Sequence, residues 1–189
     1  MSVPTPTLET DRLILRAPTR EDFEPWAAFS ADGEAMRHLG GPQARAMAWR
    51  GICTMAGAWT VRGFSMFSVI EKSTGRWVGR LGPWQPEGWP GTEVGWGLIR
   101  DVRGKGYATE GAAACVDWAF EVLGWDEVIH TIDADNTPSQ AVAGRLGSTI
   151  LRQVTLPPPF EGLTLDAWGQ SRDQWLARRD TVLRPYRVR

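Results

Sequence analysis

The spacing of apolar residues alternates along the chain between the period of a strand and the period of a helix. Short apolar runs predict strands at 8–16 (centred on Leu13-Ile14-Leu15), 64–71, 77–81, 93–99, 128–133, 149–156 and 163–169. Apolar residues three and four apart predict helices at 19–29, 44–59, 109–123 and 139–146, and a last helical segment begins near Ser171. This order of elements predicts a mixed, α+β fold in which helices pack on a mostly antiparallel sheet.

The stretch 93–120 holds the most informative pattern. Gly95 and Gly97 interrupt an apolar strand, and such glycines mark a bulge or a close approach of a backbone or a ligand. The loop Arg103-Gly104-Lys105-Gly106-Tyr107-Ala108 then turns this strand directly into a helix. The first N–H groups of a helix attract anions, and glycines allow the positive φ of an N–H nest. The loop therefore predicts an anion site, with two basic side chains at its rim.

Two nucleotide-binding motifs do not fit this loop. A P-loop requires GxxxxGK followed by Ser or Thr, and the dinucleotide fingerprint requires a glycine where Thr109 stands. The pattern Arg103-x-x-Gly106-x-Ala108 instead resembles the acyl-CoA pyrophosphate signature of the GNAT superfamily of N-acyltransferases. The longer run GKGYATEG resembles the branch typified by ribosomal-protein-alanine N-acetyltransferases.

The resemblance covers nearly the whole chain and implies one GNAT-like domain over 1–189. It implies a central, mostly antiparallel sheet of six to seven strands, splayed at its central strands and flanked by helices. Backbone groups freed at the splay can pair with the pantetheine arm of acetyl-CoA, the implied co-substrate; no metal is implied. The residues expected to bind it are Leu98, Ile99, Val102, Arg103, Gly104, Lys105, Gly106, Tyr107, Ala108, Thr109, Asn136, Ser139 and Arg145.

The implied reaction is direct transfer of an acetyl group to a primary amine. An alkylammonium has a pKa near ~10 and must lose a proton before it attacks, so a base is required. Glu93, at the start of the central strand, is the candidate base, and an exposed carboxylate at a strand end is the alternative. Glu110 is a weaker candidate, because the helix dipole alone explains a glutamate in a first turn.

The departing CoA thiolate needs a proton or a strong hydrogen bond. Many GNAT enzymes place a tyrosine four residues before the glycine that ends the helix of the second conserved block, and this chain has Ala143 there. Ser139 of the sequence Asn136-x-x-Ser139 is the candidate substitute, with a helix N-cap as its alternative role. Ala143 also leaves open a different class of protein, which holds acyl-CoA as a sensor or scaffold without turnover. The presence of Glu93, Asn136 and Ser139 favours the enzyme.

Composition limits the partners. Twenty-one basic and 22 acidic residues give a net charge of −1, so charge does not support binding to nucleic acid or an anionic membrane. No apolar run has membrane-spanning length, and Cys53 and Cys115 suggest neither disulfides nor a metal site, so the cytoplasm is the expected location. The acceptor is an amine, either a protein N-terminus or a small molecule such as an antibiotic or a polyamine. The tryptophan-rich loop 83–91 is expected to narrow its entrance, and the resemblance suggests a homodimer.

Overall fold

Eight strands form one sheet in the computed structural model, which describes residues 5–186 and 188. The strands are β1 (Leu8–Glu9), β2 (Leu13–Arg16), β3 (Phe67–Glu71), β4 (Trp77–Trp84), β5 (Glu93–Leu98), β6 (Glu127–Ile132), β7 (Thr149–Thr155) and β8 (Thr164–Ser171). Their order in the sheet is β1-β2-β3-β4-β5-β6-β8-β7. Neighbouring strands are antiparallel except β5 and β6, which are parallel and pair only at Glu93 and Ile129. The mixed fold and the splay at the central strands are therefore confirmed.

Two details of the predicted strands differ in the structure. The sheet has eight strands instead of six or seven, because the segment 8–16 folds back on itself and Leu8 pairs with Leu15. Strand β4 also continues into the predicted loop 83–91, as far as Trp84. Beyond Leu81, β3 no longer pairs with β4, so Pro83 interrupts no ladder on that side.

Six α-helices flank the sheet in the described part of the chain. They are α1 (Phe23–Ala31), α2 (Arg45–Arg62), α3 (Tyr107–Glu121), α4 (Thr137–Leu146), α5 (Arg172–Leu176) and α6 (Arg179–Leu183). No helix among the described residues has the length and apolar character needed to cross a bilayer.

Alternating side chains of the sheet enter two apolar clusters. On one face, Val69 and Val78 pack with buried residues of α3 and α4. On the other face, Ile70 and Trp77 pack with buried residues of α1 and α2. Because successive strand residues point to opposite faces, any residue of β5 can be assigned to one of the two clusters by its position.

Helix α3 is buried on almost every side, whereas the sequence pattern predicts a single buried face. The reason is the C-terminal region, whose predicted helical segment from near Ser171 packs on α3. Trp175 is fully buried, and its indole N–H donates to Asp117 Oδ1 at 3.0 Å. Arg179 donates to both carboxylate oxygens of Asp117. These contacts fix the helix whose first turn forms the anion loop.

Candidate active site

The loop between β5 and α3 has the backbone geometry of an anion site. It begins with a 3-10 turn at Arg100–Val102. Gly104 and Gly106 have φ angles of +77° and +83°, a region that side chains disfavour. The first hydrogen bond of α3 runs from the Glu110 N–H to the Gly106 carbonyl at 3.0 Å. The three N–H groups before Glu110 therefore have no carbonyl partner within the helix and are available to an anion.

An arginine from the β1–β2 turn supports this loop. Arg12 Nη1 donates to the Lys105 carbonyl at 2.8 Å, and its guanidinium carbon lies 4.6 Å from the centroid of the Tyr107 ring. The carboxylate of Glu110, which is fully buried, accepts from Arg12 Nε at 2.7 Å and from Thr10 Oγ1 at 2.5 Å. Glu110 therefore anchors the turn to α3, and its weaker candidacy as a base is not supported. Sequence reasoning did not find Arg12, which lies far from the loop along the chain.

The basic side chains at the rim are placed differently from one another. Arg103 Nη1 lies 3.4 Å from Glu34 Oε1, and Arg100 Nη1 lies 2.8 Å from Glu34 Oε2. Lys105 and Arg145 are exposed. The guanidinium of Arg103 is thus turned toward the segment between α1 and α2, which links the anion loop to the opposite face of the sheet.

The splay exposes backbone groups of β5. The Ile99 N–H donates to Val78 of β4 at 3.0 Å, so Ile99 and Val78 form a hydrogen-bonded pair. In an antiparallel ladder the adjacent residue Leu98 then directs its N–H and C=O away from β4, toward β6. Trp96 does the same, two residues earlier. The N–H of Leu98 is therefore available at the splay, whereas that of Ile99 is engaged.

Glu93 is buried at the point where β5 and β6 separate, with 6% of its surface exposed. Trp89 Nε1 donates to Glu93 Oε2 at 2.5 Å, and the Thr131 N–H and Oγ1 lie 3.2 and 3.1 Å from Oε1. Burial raises the pKa of Glu93 to about 7, against the opposing effect of these hydrogen bonds and of the Arg80 charge. The alternative of an exposed strand-end carboxylate is therefore wrong.

The face of β5 that carries Glu93 is bare backbone covered by flexible side chains. Gly95 and Gly97 share this face with Glu93, because all three alternate in the same sense along the strand. A Cβ on Gly95 would lie 2.9 Å from the Met66 methyl, and one on Gly97 would lie 2.9 Å from Leu39 Cδ1. The glycines therefore let Met66 and Leu39 lie directly on the strand.

Aromatic rings border this face next to Glu93. The ring of Trp89 lies 6.5 Å from that of Trp84 and 6.5 Å from that of Phe160, centroid to centroid. Phe160 belongs to the β7–β8 connection and packs against Gly40. We call Trp84, Trp89 and Phe160 the aromatic wall.

A second polar contact crosses the same face. His38 Nδ1, from the segment between α1 and α2, lies 3.3 Å from Asp133 Oδ2, just after β6. The backbone N–H of Asp135 and His38 both act to lower the pKa of Asp133, with Asp135 the larger influence.

Ser139 lies on the opposite side of the sheet from Glu93. Its hydroxyl oxygen accepts a hydrogen bond from Trp96 Nε1 at 3.2 Å, and Trp96 alternates with Glu93 along β5. Its backbone N–H donates to Asn136 Oδ1 at 3.2 Å, so Asn136 is the N-cap of α4. The alternative role of Ser139 as N-cap is therefore wrong. Ala143 is fully buried in α4 and offers no polar group.

His130 has a structural role. It is buried, and burial lowers its pKa to about 4. Its Nδ1 lies 2.6 Å from the Val94 carbonyl, which can only accept, so Nδ1 carries the proton. Its Nε2 then accepts from Ser148 Oγ at 3.1 Å. A neutral imidazole thus packs at the splay, with its ring centroid 4.9 Å from that of Trp96.

Most of the predicted residues lie in three segments, around the start of β5, the anion loop and the start of α4, whereas Arg145 lies in the last turn of α4. Sequence reasoning missed Arg12, Arg80, Trp96 and Thr131. The alternation of Trp96 and Glu93 along β5 could have revealed that the two lie on opposite faces. Among residues 5–186 and 188, no group of three or more His, Cys, Asp or Glu side chains is arranged to hold a metal ion.

Comparison with known proteins agrees with this geometry. A family model described as an acetyltransferase (GNAT) domain matches residues 12–149. The chain belongs to the GNAT acetyltransferase family. It is therefore an acyltransferase, as the resemblance of its anion loop implies.

Individual relatives of this GNAT protein cover different parts of it. An acetyltransferase structure from Agrobacterium tumefaciens is 30% identical with a TM-score of 0.78, over 91% of this chain and 98% of that chain. The uncharacterized N-acetyltransferase p20 of Bacillus licheniformis is 29% identical over 136 residues, 70% of this chain and 76% of p20. The uncharacterized protein YkkB of Bacillus subtilis is 34% identical over 87 residues, 45% of this chain and about half (51%) of YkkB.

A more distant structure shares the fold. Mycobacterium smegmatis RimJ in complex with CoA-disulfide is 18% identical with a TM-score of 0.70, over 98% of this chain and 96% of that chain.

Proposed function

We propose that this GNAT protein transfers the acetyl group of acetyl-CoA directly to a primary amine, with Glu93 as the general base. The observation that carries the proposal is the buried Glu93 carboxylate at the splay, whose pKa of about 7 suits a base near neutral pH. The ammonium gives one proton to Glu93, and the neutral nitrogen attacks the acetyl carbon. The carbon–sulfur bond then breaks, and CoA departs as a thiolate. The nitrogen releases its second proton to solvent as the amide forms, and the thiolate takes a proton from solvent.

Acetyl-CoA is proposed to lie on the α3–α4 side of the splay. The N–H groups at the start of α3 suit its pyrophosphate, since the glycines of the loop have no side chains to hold it away. The outward backbone groups of Trp96 and Leu98 suit the amides of the pantetheine arm. The Leu98 N–H is the donor expected to polarise the thioester carbonyl. RimJ, the distant neighbour with CoA-disulfide, supports a CoA site on this fold.

The placement of Glu93 and Ser139 on opposite faces supports direct transfer. An amine that approaches from the α1–α2 side meets Glu93, while the sulfur leaves toward α4. The Ser139 oxygen already accepts from Trp96, so its own O–H remains to donate to the thiolate. The proposed base and the proposed hydrogen-bond donor therefore act on opposite sides of the acetyl carbon.

The acceptor is proposed to enter past the aromatic wall. Aromatic faces attract ammonium groups, and Asp133 adds a carboxylate on the same face. These features suit a cationic amine, either a protein N-terminus or a small-molecule amine such as a polyamine.

The test is release of CoA thiol with a panel of amines, for the native chain and for Glu93→Gln. We expect Glu93→Gln to lower kcat about 100-fold or more and to remove the inflection near pH 7 from the kcat/KM profile. Glu127→Gln is the matched control, since it removes an exposed carboxylate of β6 that pairs with Arg152. A native inflection that persists in Glu93→Gln would reject Glu93 as the base. Acetyl-CoA binding without release on any amine would favour a sensor.

A further inference from the structure

We propose that Trp89 is a positioning residue for Glu93: its indole N–H donates to Oε2 and fixes the orientation of the carboxylate at the splay. The inference rests on the proposed role of Glu93. Trp89 lies in the loop between β4 and β5.

Two segments hold the carboxylate of Glu93. From the loop after β4, Trp89 Nε1 donates to Oε2 at 2.5 Å. From β6, the Thr131 N–H donates to Oε1 at 3.2 Å, and Thr131 Oγ1 lies 3.1 Å from Oε1 and 3.0 Å from Oε2. The indole is therefore the donor that reaches the carboxylate from outside β6. Without the indole, the carboxylate would retain donors from β6 alone, and its rotation would be less restricted.

The indole N–H also affects the pKa of Glu93, together with the groups that surround the carboxylate. Arg80 of β4 is the charged group that acts on Glu93, and burial is the larger, opposing influence. From β6 comes the neutral Thr131, while His130 points to the other face and binds Val94. Phe29 of α1 and Leu39 of the segment after it lie over Gly97 of the same face, and His38 Nδ1 lies 3.3 Å from Asp133 Oδ2. An N–H donor to an ionised carboxylate favours the ionised form, so Trp89 works against burial.

A tryptophan suits this position because it donates without titrating. Its N–H can only donate, so the indole cannot accept the proton of the amine in place of Glu93. The aromatic wall holds the ring by its neighbours Trp84 and Phe160. The same residue thus borders the acceptor entrance and fixes the base.

Trp89→Phe tests the inference, because phenylalanine keeps an aromatic ring and removes only the N–H donor and the second ring. We expect the acid limb of kcat/KM to move up by about one pKa unit, which lowers kcat/KM about tenfold near pH 6 and leaves the alkaline plateau within about twofold. The ionisation of the amine is common to both proteins and cancels in the ratio. Trp84→Phe is the matched control: it removes a neighbouring indole that makes no hydrogen bond to Glu93, so the acid limb should stay in place.

A second measurement uses the native chain and does not depend on the folding of a variant. Among the indole N–H signals of the eleven tryptophans in a 1H–15N spectrum, one should shift with a midpoint near the pKa of about 7 of Glu93. That shift should vanish in Glu93→Gln. An acid limb that Trp89→Phe leaves in place, or the absence of any titrating indole, would overturn the inference. Either result could occur while Glu93→Gln still abolishes the limb, so the proposed base would stand without Trp89.

Discussion

Two buried side chains near the splay titrate in opposite senses, and the stability of the protein depends on both. Burial raises the pKa of Glu93 to about 7 and lowers that of His130 to about 4. Glu93 contributes stability below its unfolded pKa of 4.5, and this contribution is lost as pH rises toward 7. His130 contributes stability above its unfolded pKa of 6.5, and this contribution is lost as pH falls toward 4. Between pH 4.5 and 6.5 the two slopes oppose each other.

Removing either titrating group should therefore reveal the pH dependence of stability that the other group produces. In Glu93→Gln only the His130 contribution remains. Between pH 4.5 and 6.5 the free energy of unfolding of this variant should therefore rise by about 2–3 kcal/mol more than that of the native chain. In His130→Gln, the Glu93 contribution should fall with pH by a similar amount. Urea unfolding at several pH values measures both, with Glu127→Gln as the control. Parallel pH dependences in the native chain and both variants would contradict the opposed titrations.

Variants of Ser139 and Asn136 can distinguish a role in the reaction from a role in capping α4. Because the cap of α4 is the Asn136 side chain, Asn136→Ala should cost about 1 kcal/mol of stability. Ser139→Ala keeps the cap but leaves the part-buried Trp96 N–H without its partner, so it should also cost about 1 kcal/mol; unlike Asn136→Ala, it should lower kcat about tenfold while the Kd for acetyl-CoA stays within about twofold. Thermal melts, isothermal titration and thiol release measure these three quantities. A native kcat in Ser139→Ala would mean that a hydrogen bond from Ser139 to the departing thiolate does not contribute to the reaction.

At the scale of elements, the anion loop depends on two glycines with similar backbone and different surroundings. Both have positive φ, so a valine at either position strains the backbone to a similar degree. A Cβ on Gly104 would meet no atom within 4 Å, whereas one on Gly106 would stand at the first turn of α3, 3.4 Å from Arg12 Nη2. A difference between the two valine variants therefore reports on where the side chain lies, because the backbone strain is nearly the same in both.

We expect Gly106→Val to raise the Kd for acetyl-CoA at least about tenfold more than Gly104→Val does, since its side chain would cover the N–H groups at the helix start. Isothermal titration of both variants with acetyl-CoA and with free CoA gives the comparison, and thermal melts check that their stabilities match. Equal Kd values in the two variants would mean that the pyrophosphate does not bind at the start of α3.

The elements also show what a single sequence can predict. The conformation of the loop 103–108 depends on its own glycines. Its turn and the family that it resembles could therefore be predicted from residues that are adjacent in sequence. Glu93 was found because it stands at the start of the strand that precedes this loop. Arg12 and Thr131 could not be found, because their contacts join segments that meet only after folding. Strand β1 was missed for the same reason: its turn is fixed by Glu110, which lies in α3.

At the scale of the whole molecule, the contacts of α3 join the termini to the site. The β1–β2 turn binds its first turn through Glu110, and α5 and α6 bind Asp117 in its middle. Arg100 and Arg103 then connect the anion loop to Glu34, beyond α1. These last ion pairs are exposed and contribute little stability. The contacts at Glu110 and Asp117 are buried, so we expect residues 1–189 to unfold as one domain; the homodimer and the cytoplasmic location remain predictions.

A thermal melt with acetyl-CoA tests the domain and its ligand together. A ligand at about 100 times its Kd adds about 2.7 kcal/mol, which should raise the Tm of a chain of this size by roughly 5–10 °C. The transition should be single with and without ligand, because the anion loop and the core share α3. NADH and ATP should produce no shift of this size, and Gly106→Val should lose most of the shift while Gly104→Val retains more of it. Two separate transitions, of which acetyl-CoA moves only one, would contradict a single domain. If excess acetyl-CoA does not raise the Tm of the native chain, the basis for the proposed transfer is removed.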